Sequence, residues 1–179
     1  MTYDQSRSGA SGDVRPDVYD PAANPELFEG VLACRMLAFL IDVIIVALPV
    51  IAASIFVFLF GFLTFGLGWL LFWPLNGAAV VWAVLYYGFT LGGPNSATVG
   101  MRTMGIEMRT SYGAPCYFVL GAVHAIVYWI SVSMLTPFIL LVGLFNARSR
   151  LLHDFLLGTV VINSPARAAT LAGRFTYRR

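Results

Sequence analysis

Residues 43–101 read VIIVALPVIAASIFVFLFGFLTFGLGWLLFWPLNGAAVVWAVLYYGFTLGGPNSATVGM, with Asp42 before them, Arg102 after them and no formal charge between. A membrane-crossing helix needs about 20 mainly apolar residues, so this single stretch is long enough for two. Gly61 to Gly68 (GFLTFGLG) divides it and reads as a tight turn at the far membrane face. The first span is placed at about 36–60 and the second at about 69–90. Pro49 removes a backbone hydrogen bond to Ile45 and can kink the first span. Pro74, Asn76 and Gly77 weaken the start of the second, and Gly88 and Gly92 form a small-residue pair near its end that allows close helix approach.

Working outward, a second uncharged run lies between Arg109 and Arg148, with His124 inside it. The whole chain of 179 residues is 59% apolar and 11% charged, and its mean hydropathy is +0.79. Soluble domains average about 45–50% apolar and about 25% charged. Soluble, disordered, collagen-like and coiled-coil readings therefore fail. The expected fold is all-α, a polytopic membrane helical protein with two clear spans and a broken third apolar region. Three parts are expected: an acidic arm over 1–23, rich in Ser, Gly, Asp and Pro and read as disordered; a transmembrane unit over 24–162; and a basic tail over 163–179. Asn24-Pro25-Glu26 reads as a capped helix start, with the helix following the membrane surface before it dives.

The arm lacks the basic region, short apolar core and cleavage site of a signal peptide. Residues 1–29 carry two Arg and six acids, and the rest carries nine Arg and only Asp42, Glu107 and Asp154. The acidic arm fits either a partner-binding tail or a solvated extension. The Arg residues flank the apolar runs, which places them, the loop at 93–115 and the N-terminus on the cytoplasmic side. A single crossing by the third region, about 116–146, would export Arg148, Arg150 and the tail. A hairpin or re-entrant pair broken between Ser131 and Pro137 keeps them inside. A surface helix followed by a tilted one does the same, and a plain third span with an external tail is the alternative.

Charges within membrane segments are costly, so the few present stand out. Arg35 and Asp42 lie seven residues apart, on nearly the same helix face but about 10.5 Å apart along the axis. Arg35 is expected to reach back to the interface. That leaves Asp42 about 10 Å inside the hydrocarbon and in need of a partner or a proton. Arg102, Arg148, Arg150 and His153 are its candidate partners. Asp42 is either a cation or proton site or a buried tie between the first helix and the loops. Asp154 can cap a helix or pair with Arg35 or Arg102, and His124 reads as a structural histidine. Cys34 and Cys116 read as free thiols, with no metal-ligand spacing. There is no phosphate loop, nucleophile elbow or zinc motif. No catalytic residue, cofactor, metal or nucleic-acid partner is therefore assigned, and the basic tail is matched to anionic lipid headgroups.

Three blocks carry a family resemblance. Arg35-Met-Leu-Ala-Phe-Leu-Ile-Asp42 looks like an "R-x-x-A-x-x-x-D" opening. Ser96-Ala-Thr-Val-Gly-Met-Arg-Thr-Met-Gly-Ile-Glu-Met108 is similar to a "T-x-G-K-R-x-x-G-I-x-V" loop, and Arg150-Leu-Leu-His-Asp-Phe-Leu-Leu-Gly-Thr-Val-Val161 to an "R-x-x-H-D-x-x-x-G-T-x-V" close. In this order the chain resembles the RDD family of bacterial membrane proteins over about residues 30–162. Met101 stands where that family usually has Lys, and His124 where its third region often has Arg. The resemblance implies that Arg35, Asp42 and Asp154 are the signature residues, that the protein sits in a bacterial inner membrane, and that its role is transport-related, with sodium/proton exchange known in the family. A eukaryotic relative resembles an assembly partner, so a scaffold for another membrane protein is the competing expectation. The lipid bilayer, a homo-oligomer or a membrane-protein partner are the expected associates, and a membrane enzyme has no residue set to support it.

Overall fold

A computed structural model describes residues 19–135 and 152–177. The arm before Tyr19, the Pro137 break, Arg148 and Arg150 lie outside the described residues, as does the side chain of His153.

Two long helices dominate. Helix α1 runs from Val31 to Leu63, 33 residues, about 50 Å. It continues through Pro49, and one turn later Ser54 Oγ donates to the Val50 carbonyl. The expected capped start at Asn24 is not observed. Pro25–Leu27 form only a 3-10 turn and the Asn24 side chain makes no capping bond. Gly30, at φ +70°, separates that turn from α1. Left-handed backbone is routine only for glycine, so the change of direction falls there.

The far turn matches the Gly-rich segment. Phe65 and Gly66 take positive φ, and Thr64 Oγ1 accepts the Gly68 amide at 2.7 Å. The Trp69 indole lies across Gly61, where an added Cβ would sit 1.8 Å from Nε1. Its Nε1 donates to the Phe58 carbonyl at 3.1 Å. A 3-10 turn at Leu67–Leu71 leads into α2, Phe72–Leu91. Pro74 falls in the first turn of α2, where its missing N–H breaks no helical bond. Both helices are long and apolar enough to cross a membrane. Ile44, Leu48, Ile51, Phe56, Leu59 and Phe62 are each more than half exposed, a surface suited to lipid rather than water.

The opposite end is a packed head. The expected polar loop at 93–115 contains a short helix, α3 at Val99–Thr103, and a strand, β1 at Ile106–Thr110. Strand β2, Thr159–Asn163, pairs antiparallel with β1 from Ile106↔Asn163 to Thr110↔Thr159. The apolar close TVVI is thus a ribbon strand, as its β-branched residues favour. The alternation of side chains across the ribbon supplies two cores. Val161 joins Val31, Cys34, Ala38, Tyr86, Tyr87, Leu91, Ile106 and Met108. Val160 and Ile162 join Phe28 and Tyr19, so Tyr19, in the segment read as an arm, is packed against the ribbon.

Helix α4, Phe118–Leu135, is about 27 Å long. Gly88, Gly92 and Gly121 let it lie directly on α2: a Cβ at Gly92 would sit 2.4 Å from the Phe118 amide nitrogen. Helix α5, Leu152–Leu157, then precedes β2. Because β2 pairs with β1, the chain returns to the head after α4, which excludes the plain third span that leaves the tail at the far face. Residues 136–151 lie outside the described residues. The tail, expected only to be polar and basic, is helical as α6, Pro165–Tyr177, with Ala168 and Leu171 buried.

Candidate functional site

The signature residues all lie in the head, in two buried groups. Asp42, on α1, is 3% exposed. Its Oδ1 accepts from the Tyr86 hydroxyl at 2.6 Å and the Gly100 amide at 2.9 Å, and its Oδ2 accepts from the Thr98 hydroxyl at 2.5 Å. These donors come from α2, from α3 and from the residue that caps α3. Thr98 does both jobs at once, since its Oγ1 also accepts the Met101 amide at 3.1 Å. Gly100 lets the backbone come this close: an added Cβ would sit 2.2 Å from the Ala38 carbonyl oxygen and 2.9 Å from Asp42 Cγ.

Asp154, at 0% exposed, lies in the first turn of α5. Arg35 Nη1 lies 2.6 Å from its Oδ2, and His124 Nε2 of α4 lies 3.9 Å from its Oδ1. Thr159 Oγ1 stands 3.4 Å from the same oxygen. The expected reach of Arg35 toward the interface is not seen; its side chain is 11% exposed and turned onto Asp154. A buried carboxylate with a hydrogen-bonded guanidinium is far less costly than either charge alone, which accounts for the inward turn.

Of the four candidate cations only the Arg102 side chain lies among the described residues, and it does not reach Asp42. Arg102 Nε donates to the Ala97 carbonyl at 3.2 Å, so its guanidinium serves the loop and pairs with neither Asp42 nor Asp154. Arg150 and the His153 side chain fall outside the described residues. The third buried acid, Glu107 on β1, pairs with Arg109 at 2.9 Å, and that bond holds Arg109 above its ordinary range. Beside this pair, burial pushes the Tyr19 phenol up. Among the described residues, Asp42 is therefore the buried carboxylate whose partners are all uncharged, and no His/Cys/Asp/Glu group is arranged to hold a metal.

Two features were not visible from residue chemistry alone. Tyr86 reads as one more interfacial aromatic, and only its position opposite Asp42 makes it a donor. Thr98 and Gly100 carry no chemistry as single residues; the signal is their spacing, a hydroxyl and a side-chain-free amide two residues apart. No curated protein and no solved structure matches the chain. The RDD family model matches residues 30–158, a stretch that holds Arg35, Asp42, the Thr98–Gly100 clamp and Asp154, and the chain belongs to the RDD family of membrane proteins.

Proposed function

We propose that this membrane protein has a transport-related role in which Asp42 exchanges a proton or a small monovalent cation. The observation that carries the reading is the uncompensated charge at Asp42. Asp154 and Glu107 each face an Arg, whereas Asp42 has only two hydroxyls and an amide. Three donors offset part of the cost of burying this carboxylate, and a bound cation or proton would relieve what remains. Both hydroxyls can rotate to accept instead of donate. Tyr86 and Thr98 can therefore hold the carboxyl in its ionised and its protonated form without moving the backbone.

The site's depth supports the same reading. Asp42 to Leu63 rises about 31 Å. The return from the 3-10 turn at Leu67 to Tyr86 also measures about 31 Å, close to the hydrocarbon thickness of about 30 Å. On this match of lengths we read Asp42 as lying at the head-side boundary of the apolar slab. We place the head on the cytoplasmic face of a bacterial inner membrane, with the chain multi-pass, because its Arg residues gather there. The role involves no catalytic step and no cofactor.

Purified full-length protein in proteoliposomes tests this. A cation gradient should drive proton movement, and Asp42→Asn should abolish it. Absent flux, or flux unchanged in Asp42→Asn, would refute the proposal. A second reading, a scaffold for another membrane protein, is favoured by the way both carboxylates join separate elements instead of lining a shared opening. Recovery of one specific partner after mild detergent extraction, with no cation-driven flux, would support it.

A further inference from the structure

Helix α2 carries a polar side chain where a lipid-facing helix has little use for one. Asn76 is exposed and lies about 15 Å along the helix from Tyr86, at about half the depth of the apolar slab. One amide hydrogen is used within the helix, donated to the Phe72 carbonyl at 2.7 Å. The second N–H and the carbonyl oxygen have no hydrogen bond among the described residues. Hydrocarbon offers no partner for them, and unsatisfied polar groups there are costly.

The surroundings of Asn76 are open. Trp73, Gly77 and Val80 share its face by helical spacing; Trp73 is 89% and Val80 65% exposed. A Cβ added at Gly77 meets nothing within 4 Å. A bare backbone beside a free carboxamide permits close approach of another helix.

We propose that this face of α2 is the contact of a homodimer within the bilayer, with Asn76 paired to Asn76 of a second copy. The occupant follows from the chemistry. A carboxamide has a donor and an acceptor, so across a twofold axis each satisfies the other, as an isologous contact requires. Gly77 then lies beside the axis, where two backbones can meet. The contact is read from α2 alone and stands whatever Asp42 carries.

The test is single-molecule photobleaching of full-length labelled protein in liposomes at decreasing protein-to-lipid ratio. The wild type should dimerise in a density-dependent way. Asn76→Leu should weaken dimerisation about tenfold, the scale of one intramembrane hydrogen-bonded pair. Gly77→Leu should weaken it as well, while Asn76→Gln, which keeps the carboxamide, should stay close to wild type. Leucine suits a lipid-facing position, so these variants insert and fold, which tryptophan fluorescence checks. A wild type that stays monomeric at every density, or Asn76→Leu dimerising as well as wild type, would overturn the proposal.

Discussion

Replacing Gly100 by Ala puts the most direct strain on the Asp42 clamp. The new methyl would sit 2.2 Å from the Ala38 carbonyl oxygen and 2.9 Å from Asp42 Cγ. Neither obstacle is a flexible side-chain end, because both belong to α1 or to the carboxyl held against it. Helix α3 must retreat by about 1 Å, which takes the Gly100 amide beyond hydrogen-bond range of Asp42 Oδ1 and strains the Thr98 contact. Losing a hydrogen bond to a charged group costs about 1.5–3 kcal/mol, and overpacking adds about 1–3 kcal/mol. The expected destabilisation is about 2.5–6 kcal/mol, a large share of the stability of an ordinary domain. Reversible unfolding in bicelles reads the total, and hydrogen exchange at 99–103 localises it. Gly173→Ala, on α6, is the control, since its Cβ meets nothing and alanine favours the helix by up to about 1 kcal/mol. Equal stability of Gly100→Ala and wild type, with exchange at 99–103 unchanged, would refute the packing argument.

Further outcomes follow from the same geometry. Arg35→Ala leaves Asp154 buried and should cost about 3–5 kcal/mol; unfolding of the Arg35→Ala/Asp154→Ala double variant should recover much of that loss. Tyr86→Phe removes one of three donors to Asp42 and should destabilise by about 1–3 kcal/mol, read by the same unfolding assay. Tyr19, packed on the ribbon, has its phenol pushed up from 10.0 by burial first. Its contribution to stability is therefore fully present below pH 10 and declines above it. Proteolysis between Tyr19 and Phe28, which pack together on the ribbon, should accelerate above pH 10 in the wild type and show no such step in Tyr19→Phe.

The two spans could be read directly because an uncharged apolar run of that length has little use outside a bilayer. The far turn could be read from Gly61 to Gly68 for the same local reason. The head was harder because its contacts are distant in sequence. Arg35 and Asp154 meet through α5, and β1 pairs with a strand some fifty positions later in the chain. A five-residue segment with three consecutive apolar residues, such as β2, does not declare helix or strand by periodicity; the partner strand decides. Gly30 is a weaker local signal than Asn24-Pro25-Glu26, yet the chain uses the latter for one 3-10 turn only and begins α1 after Gly30. Asp42 stood out as a buried acid. That its partners are neutral depends on Tyr86, Thr98 and Gly100 converging from two other elements, which no local pattern encodes.

The central claim is that the Asp42 carboxyl gains and loses a proton or cation in the folded protein. Infrared difference spectroscopy of the protein in lipid, stepped in pH and then in monovalent cation concentration, reads this directly. The account predicts a protonated-carboxyl band that appears on acidification, is displaced by the cation, and is missing in Asp42→Asn while persisting in Asp154→Asn. A spectrum in which no carboxyl band responds to either step, or one that responds identically in Asp42→Asn, would contradict it.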